Sequence, residues 1–188
     1  MGLLDLWMPI LVSAVFVFLA SSVLHMMLPF HRSDWGGFDN EEEILEAIGK
    51  AKPTPGEYMF PYCTDMKELL GEEMTAKYAK GPVGTMTIRP NGTPSMGKPL
   101  GQWFLMCIGV SILCGLLGSM ALMPGSAFGS VAKFIGLAAF GMYGMGNLTN
   151  SIWKNVPWIT TAKFLFDGAV YGVVTALGFA WLWPGIAA

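Results

Sequence analysis

Residues Trp103–Met123 read WFLMCIGVSILCGLLGSMALM and contain no charged side chain. At a rise of about 1.5 Å per helical residue, a run of this length reaches across a hydrocarbon core of about 30 Å. Three other apolar runs are comparable, at Leu6–Leu28, Val131–Leu148 and Ile159–Trp183. The sequence therefore predicts an all-α membrane protein in which four transmembrane helices form a bundle.

Charged residues are few, and most of them lie in one region. They make up 13% of the chain, against about 25% in soluble domains, and 19 of them lie between His31 and Pro99. We therefore predict transmembrane helix 1 in residues 1–30, a polar extramembrane insert in residues 31–99, and transmembrane helices 2–4 in residues 100–188.

The insert has the composition of a small mixed α/β or irregular domain. Its sequence predicts helices over Glu41–Ile48 and Met66–Ala79 and a strand over Val83–Ile88, with an extended, irregular stretch around Pro53–Pro61. Its 11 acidic and 8 basic residues are intermixed, so it lacks the basic stripe that binds nucleic acid. The expected partners are membrane lipids and other membrane-protein subunits, or further copies of this chain.

The distribution of basic residues near the helix ends indicates an orientation. Arg32, Lys98, Lys154 and Lys163 lie on the side of the insert, and Lys133 alone lies on the opposite side. The positive-inside rule then places the insert in the cytoplasm and both termini outside.

Small residues recur at four-residue spacing in the second and fourth apolar runs, and the third is rich in glycine. Helices in lipid pack closely at such residues. The predicted packing positions are Ser111, Gly115, Ser119, Gly141, Gly144, Gly168 and Gly172. These faces fit either the contacts of an intrachain bundle or contacts with the helices of a partner.

Polar residues within the predicted spans gather at the insert end. His25, Asn147, Lys163 and Asp167 form this predicted cluster, with Asp167 about 12 Å along its helix if the helix starts at Ile159. A carboxylate at that depth needs a partner, and Lys163 and His25 are the candidates. The cluster is interpreted either as a structural pin or as a proton-transfer or ion-binding site.

His25 and His31 are the only histidines, and Pro29 interrupts the helix between them. Their spacing is not one that places two metal ligands on one helical face. The simplest interpretation is a hydrogen-bonded His25 at the interface and a His31 on the surface, so no cofactor is predicted. Haem or copper at His25 and His31 is the alternative hypothesis.

The sequence contains none of the common catalytic signatures. GxSxG, the P-loop and HExxH are missing, as is a GxGxxG that follows a strand. We therefore expect that the protein is not an enzyme.

Four groups of residues carry a resemblance that runs over most of the chain. They are His25-Met26-x-x-Pro29-x-His31-x-Ser33-Asp34, Pro55-Gly56-x-Tyr58, Pro90-Asn91-Gly92-x-x-Ser95-Met96-Gly97 and Lys163-x-x-x-Asp167-Gly168-x-x-Tyr171. In these motifs the chain resembles a family of small four-span bacterial inner-membrane proteins with no known activity. The resemblance implies a bacterial inner-membrane location and supplies no catalytic residue.

Three functions follow as hypotheses. The first is a non-catalytic accessory or structural subunit of a larger bacterial energy-converting or transport complex, or a homo-oligomer. The second is a small transporter or ion- or proton-conducting protein that uses the polar cluster. The third is a redox protein that binds haem or copper.

Overall fold

The structure is a computed structural model and describes residues 2–65 and 67–185. Four helical segments are long and apolar enough to cross a membrane, namely Leu3–Met27, Gly97–Ala121, Phe128–Lys154 and Trp158–Trp181. The predicted architecture is confirmed: four long helices are present, and a small mixed α/β insert lies between the first and the second.

Seven α-helices and two strands are present in the described residues. They are α1 (Trp7–Ser22), α2 (Glu41–Lys50), β1 (Gly56–Phe60), α3 (Glu72–Lys80), β2 (Gly84–Ile88), α4 (Gly97–Ala121), α5 (Phe128–Tyr143), α6 (Leu148–Lys154) and α7 (Trp158–Trp181). The first long segment adds a 3₁₀ turn, Leu3–Leu6, before α1 and a π-helical turn, Val23–Met27, after it. A further 3₁₀ turn, Met145–Asn147, joins α5 to α6.

Residues 2–35 and 95–185 form one compact unit, called the helix bundle below. In it α1 packs against α4 and α7, and α5 packs against the same two helices. Leu6, Val17, Ile135 and Phe179 are fully buried along its axis. Each long helix therefore contributes one apolar face to a shared core and leaves the other faces exposed.

Glycines allow α5 and α7 to approach most closely. A Cβ added at Gly168 would lie 2.6 Å from the Cα of Gly144, and one at Gly172 would lie 3.0 Å from the carbonyl oxygen of Gly136. On the other side of the bundle, Gly115 of α4 lies against Ile10 of α1. Close backbone approach of this kind is the usual mode of helix packing in lipid.

Two of the predicted packing positions, Gly141 and Ser119, have surroundings other than the predicted helix contact. Gly141 faces open space, because it lies about 100° around α5 from Phe140, whose side chain faces Gly172 of α7. The Ser119 hydroxyl donates to Leu116 of its own helix, and Gly118 makes the close contact with neighbouring side chains instead. Ser111, the remaining predicted position on α4, is fully buried.

The insert unit comprises Gly36–Pro94. Its strands β1 and β2 pair antiparallel, with Gly56 opposite Ile88 and Phe60 opposite Gly84. The predicted α2 and β2 are present, and the stretch expected to be irregular contains β1.

The second insert helix is shorter than predicted. It begins at Glu72, because Gly71 adopts an extended conformation at the N-cap. The Gly71 N–H donates to the Glu68 carbonyl, which forms a turn before the helix. Its predicted first residue, Met66, lies outside the described residues, as do Met1 and residues 186–188 at the chain ends.

The insert unit is also narrower than the predicted range of 31–99. Residues 31–35 and 95–99 belong to the helix bundle. At the first boundary the reason is a set of polar contacts between His31, Asp34 and helix α7. These contacts build the candidate site.

Candidate functional site

The chain folds back on itself after α1. The π-helical turn ends with the Leu28 N–H donating to the Val23 carbonyl at 3.1 Å, and Leu28 itself is extended. Pro29, whose fixed φ suits the first position of a helical turn, then starts a 3₁₀ turn over Pro29–Asp34. As a result the rings of His25 and His31 stack, with centroids 4.2 Å apart and planes 19° from parallel.

Lys163 of α7 fastens this turn to the bundle. Its ammonium group donates to Asp34 Oδ1 at 2.6 Å, to the Phe30 carbonyl at 2.6 Å and to Ser33 Oγ at 2.8 Å. An ammonium group has three hydrogens, so these three acceptors satisfy it completely.

The Asp34 carboxylate is held between two donors. Burial raises its pKa, but hydrogen bonds and charge from Lys163 and His31 outweigh burial, so the pKa lies below the ordinary value of 3.8. A depressed pKa means that the ionised carboxylate stabilises the fold above pH 3.8, and that this contribution is lost as the pH falls through the lowered value.

His31 bridges two carboxylates. Its Nδ1 lies 2.7 Å from Asp34 Oδ2, and its Nε2 lies 2.9 Å from Asp167 Oδ2. Because a carboxylate only accepts, Nδ1 is assigned as a protonated nitrogen. His25 Nε2 approaches the same Asp167 oxygen at 3.4 Å. Asp167 is only 2% exposed, whereas His25 is 39% exposed.

The contact between His31 and Asp167 is close but is not aligned as a hydrogen bond. Neither His31 Nε2 nor either Asp167 oxygen has a hydrogen-bond partner among the described residues. A buried carboxylate without a partner is costly, so these atoms require a further group.

The charges of the site favour a cation. With neutral histidines, Asp34 and Asp167 contribute two negative charges and Lys163 contributes one positive charge, so one net negative charge remains. A divalent metal ion between the donor atoms changes this to one net positive charge.

The predicted cluster residues lie at one end of the bundle, but with partly different contacts. Asp167 lies beside His25, one of its two predicted partners. The Lys163 ammonium group forms its ion pair with Asp34 instead of Asp167. Asn147 donates to the backbone carbonyls of Tyr143 and Gly144, at 3.2 and 3.1 Å.

Sequence reasoning missed Asp34 and placed His31 on the surface. The relevant signal is the spacing of three between His31 and Asp34, since side chains three residues apart lie on one side of a 3₁₀ turn. The partners on α7 are more than a hundred residues away in sequence, so no local pattern predicts them.

A cleft of about 510 Å³ opens beside this site, between the end of the first long segment, the start of α4, the end of α5 and the start of α7. Its walls are mainly apolar. Its lining includes His25, Met26, Trp103, Met106, Tyr143, Asp167 and Tyr171.

The chain matches no protein-family model, no curated protein and no solved structure.

We expect Asp34→Asn to destabilise the detergent-solubilised protein by about 3 kcal/mol, because the substitution leaves the partly buried Lys163 ammonium without a carboxylate partner. The measurement is thermal unfolding followed by circular dichroism. Glu73→Gln breaks the exposed Glu73–Lys77 pair and serves as the control, which should melt like the wild type. Equal melting temperatures of Asp34→Asn and the wild type would contradict a stabilising role of the Lys163–Asp34 contact.

Proposed function

We propose that this protein is a non-catalytic membrane protein that binds a divalent transition-metal ion, with His25 Nε2, His31 Nε2 and an Asp167 oxygen as ligands. The observation that carries the proposal is the convergence of these residues: each offers one ligand atom, and the three atoms lie within 4.8 Å of one another. The Asp167 oxygens, moreover, lack any other partner among the described residues.

The distances fit a tetrahedral ion such as Zn²⁺. Two donor atoms bound to one zinc at about 2.0–2.2 Å lie about 3.3–3.5 Å apart. The distances from Asp167 Oδ2 are 3.4 Å to His25 Nε2 and 2.9 Å to His31 Nε2, and binding of one ion also requires the stacked imidazole rings to rotate until both Nε2 lone pairs point at it.

The poor alignment between His31 and Asp167 supports the same conclusion. Two ligands of one ion each point at the ion, so the line between their donor atoms deviates from both lone-pair directions. A close contact that lacks hydrogen-bond alignment is therefore expected of two metal ligands.

Asp34 supplies the outer support that metal-binding histidines usually have. Its carboxylate accepts from His31 Nδ1, which leaves Nε2 as the nitrogen with a lone pair toward Asp167. Lys163 in turn holds Asp34, so the orientation of His31 is fixed by two successive contacts.

The donor set also discriminates between metals and cofactors. Two imidazoles and a carboxylate suit Zn²⁺ and similar divalent ions, whereas Cu⁺ prefers sulfur ligands. Haem does not fit, because the stacked rings of His25 and His31, 4.2 Å apart, do not point at a common iron from opposite sides.

We favour binding over catalysis and over conduction. Three protein ligands leave a fourth position free toward the cleft, but the mainly apolar walls suit retention of a ligand better than a hydrolytic reaction in water. Polar side chains follow one face of α7 as far as Thr175. Beyond Thr175 the core is apolar and contains the fully buried Leu6, Val131 and Phe179, which argues against a conducting path through the bundle. The site is thus open at one end of the bundle.

In this proposal the protein belongs to the bacterial inner membrane and to the four-span family that it resembles, and it works as an accessory subunit or a homo-oligomer. Support comes from the small insert and from glycines on open helix faces, such as Gly109 and Gly141. Native electrophoresis after gentle solubilisation should show a species larger than the monomer. A stable lone monomer would argue against this assembly.

The proposed orientation, with the insert in the cytoplasm, is tested by the thiol of Cys63. This is the one cysteine of the insert, and Cys107 and Cys114 are buried in the bundle. A membrane-impermeant maleimide should label Cys63 in inverted vesicles and leave right-side-out vesicles unlabelled. Cys63→Ser controls for other reactive groups, and the reverse labelling pattern would invert the topology.

Zinc binding is measured by titration of the metal-free protein in competition with a chromogenic chelator. We expect one Zn²⁺ per chain in the wild type. His31→Ala and Asp167→Asn should each weaken binding by more than about 100-fold, because loss of a ligand exceeds the effect of losing an outer partner. His25→Ala should weaken binding in the same direction.

Asp39→Asn is the matched control, since it removes an exposed acid of the insert. It should bind zinc like the wild type. Zinc affinity that is the same in the wild type, His31→Ala and Asp167→Asn would disprove the site.

A further inference from the structure

Two buried tyrosines line the cleft. Tyr143 of α5 is 7% exposed and Tyr171 of α7 is 4% exposed. Within residues 2–65 and 67–185, neither hydroxyl makes a hydrogen bond. The Cys107 thiol lies beside Tyr143 but does not meet hydrogen-bond geometry. Buried polar groups are normally paired, so two free donors at one cavity indicate an acceptor that binds there.

The neighbourhood of these hydroxyls is aromatic. The Tyr143 and Tyr171 rings meet edge to face at 5.4 Å, and the Trp103 ring lies 6.1 and 5.8 Å from them. The Trp103 N–H is already used, since it donates to Ser21 Oγ at 2.7 Å. The ring surfaces therefore offer stacking to a ligand, and the two phenol groups offer the hydrogen bonds.

The cleft also reaches the outer surface of the bundle. Met26 and Met106 line it and are exposed, and Met106 lies about 14 Å along α4 from Gly97. In a membrane, side chains at that depth face acyl chains. A ligand with an apolar tail then enters from the lipid, and flexible methionines adapt to it.

We propose that the cleft binds a lipophilic quinone. One carbonyl oxygen accepts hydrogen bonds from Tyr143 and Tyr171, the ring packs near Trp103, and the tail leaves past Met26 and Met106. We infer binding alone and no redox step.

Other lipophilic ligands fit less well. An organic cation supplies no acceptor for the two tyrosine hydroxyls. A hydrocarbon leaves both hydroxyls unpaired. The cleft volume of about 510 Å³ lies within the range of about 300–1,000 Å³ for small-molecule sites.

The inference is independent of the metal ion, because it depends on the two tyrosines and not on the histidines. Tyr171→Phe should therefore leave zinc affinity unchanged. The two proposals can fail separately.

The test is isothermal titration of the purified full-length chain in detergent with decylubiquinone. We expect saturable binding at one site per chain. Tyr143→Phe and Tyr171→Phe should each weaken binding about three- to tenfold through loss of one hydrogen bond. Tyr62→Phe, an exposed tyrosine of the insert, is the matched control and should bind like the wild type.

Decylbenzene, which has a similar tail but lacks carbonyl groups, should bind at least tenfold more weakly. The phenylalanine variants should melt at or above the wild-type temperature, because they remove only unpaired hydroxyls, and decylubiquinone should raise the melting temperature of the wild type more than theirs. Non-saturable uptake equal to that of decylbenzene, or quinone affinity unchanged in both phenylalanine variants, would overturn the proposal.

Discussion

The contact between the Lys163 ammonium and the turn Pro29–Asp34 is the interaction on which the rest of the site depends. One side chain from α7 satisfies a carboxylate, a hydroxyl and a backbone carbonyl of that turn. With the turn fastened, His31 lies within the bundle, between Asp34 and Asp167. Without it, His31 would lie at the start of a polar segment, and Asp167 would keep only the 3.4 Å contact with His25 among the described residues.

The glycine contacts between α5 and α7 set the depth at which this chemistry occurs. Gly168 lies against the backbone of Gly144, so the preceding residue, Asp167, is held within the bundle and away from lipid. One turn further along α7, Tyr171 meets Tyr143 across the same interface. Close packing of small residues thus places a carboxylate and two phenols around one cleft. We propose on separate grounds that a metal ion and a quinone bind there.

Part of this arrangement follows from the sequence and part does not. Uncharged runs such as Trp103–Met123 predict the four long helices, because a hydrocarbon core admits little else. The depth of Asp167 predicts that it needs a partner. The inward position of His31 is not predicted, since Pro29 indicates only where a helix ends and not that the chain turns back. The pairing of Lys163 with Asp34, 129 residues apart, depends on tertiary packing that no local pattern encodes.

X-ray absorption spectroscopy at the zinc edge of the zinc-loaded protein tests the central claim most directly, because it counts the atoms bound to the ion. We expect a four-coordinate ion with two imidazole nitrogens and oxygen ligands at about 2.0–2.2 Å, and one imidazole fewer in His31→Ala. A shell of six oxygens, or an imidazole count unchanged in His31→Ala, would contradict a site in which the folded-back turn brings His31 to Asp167.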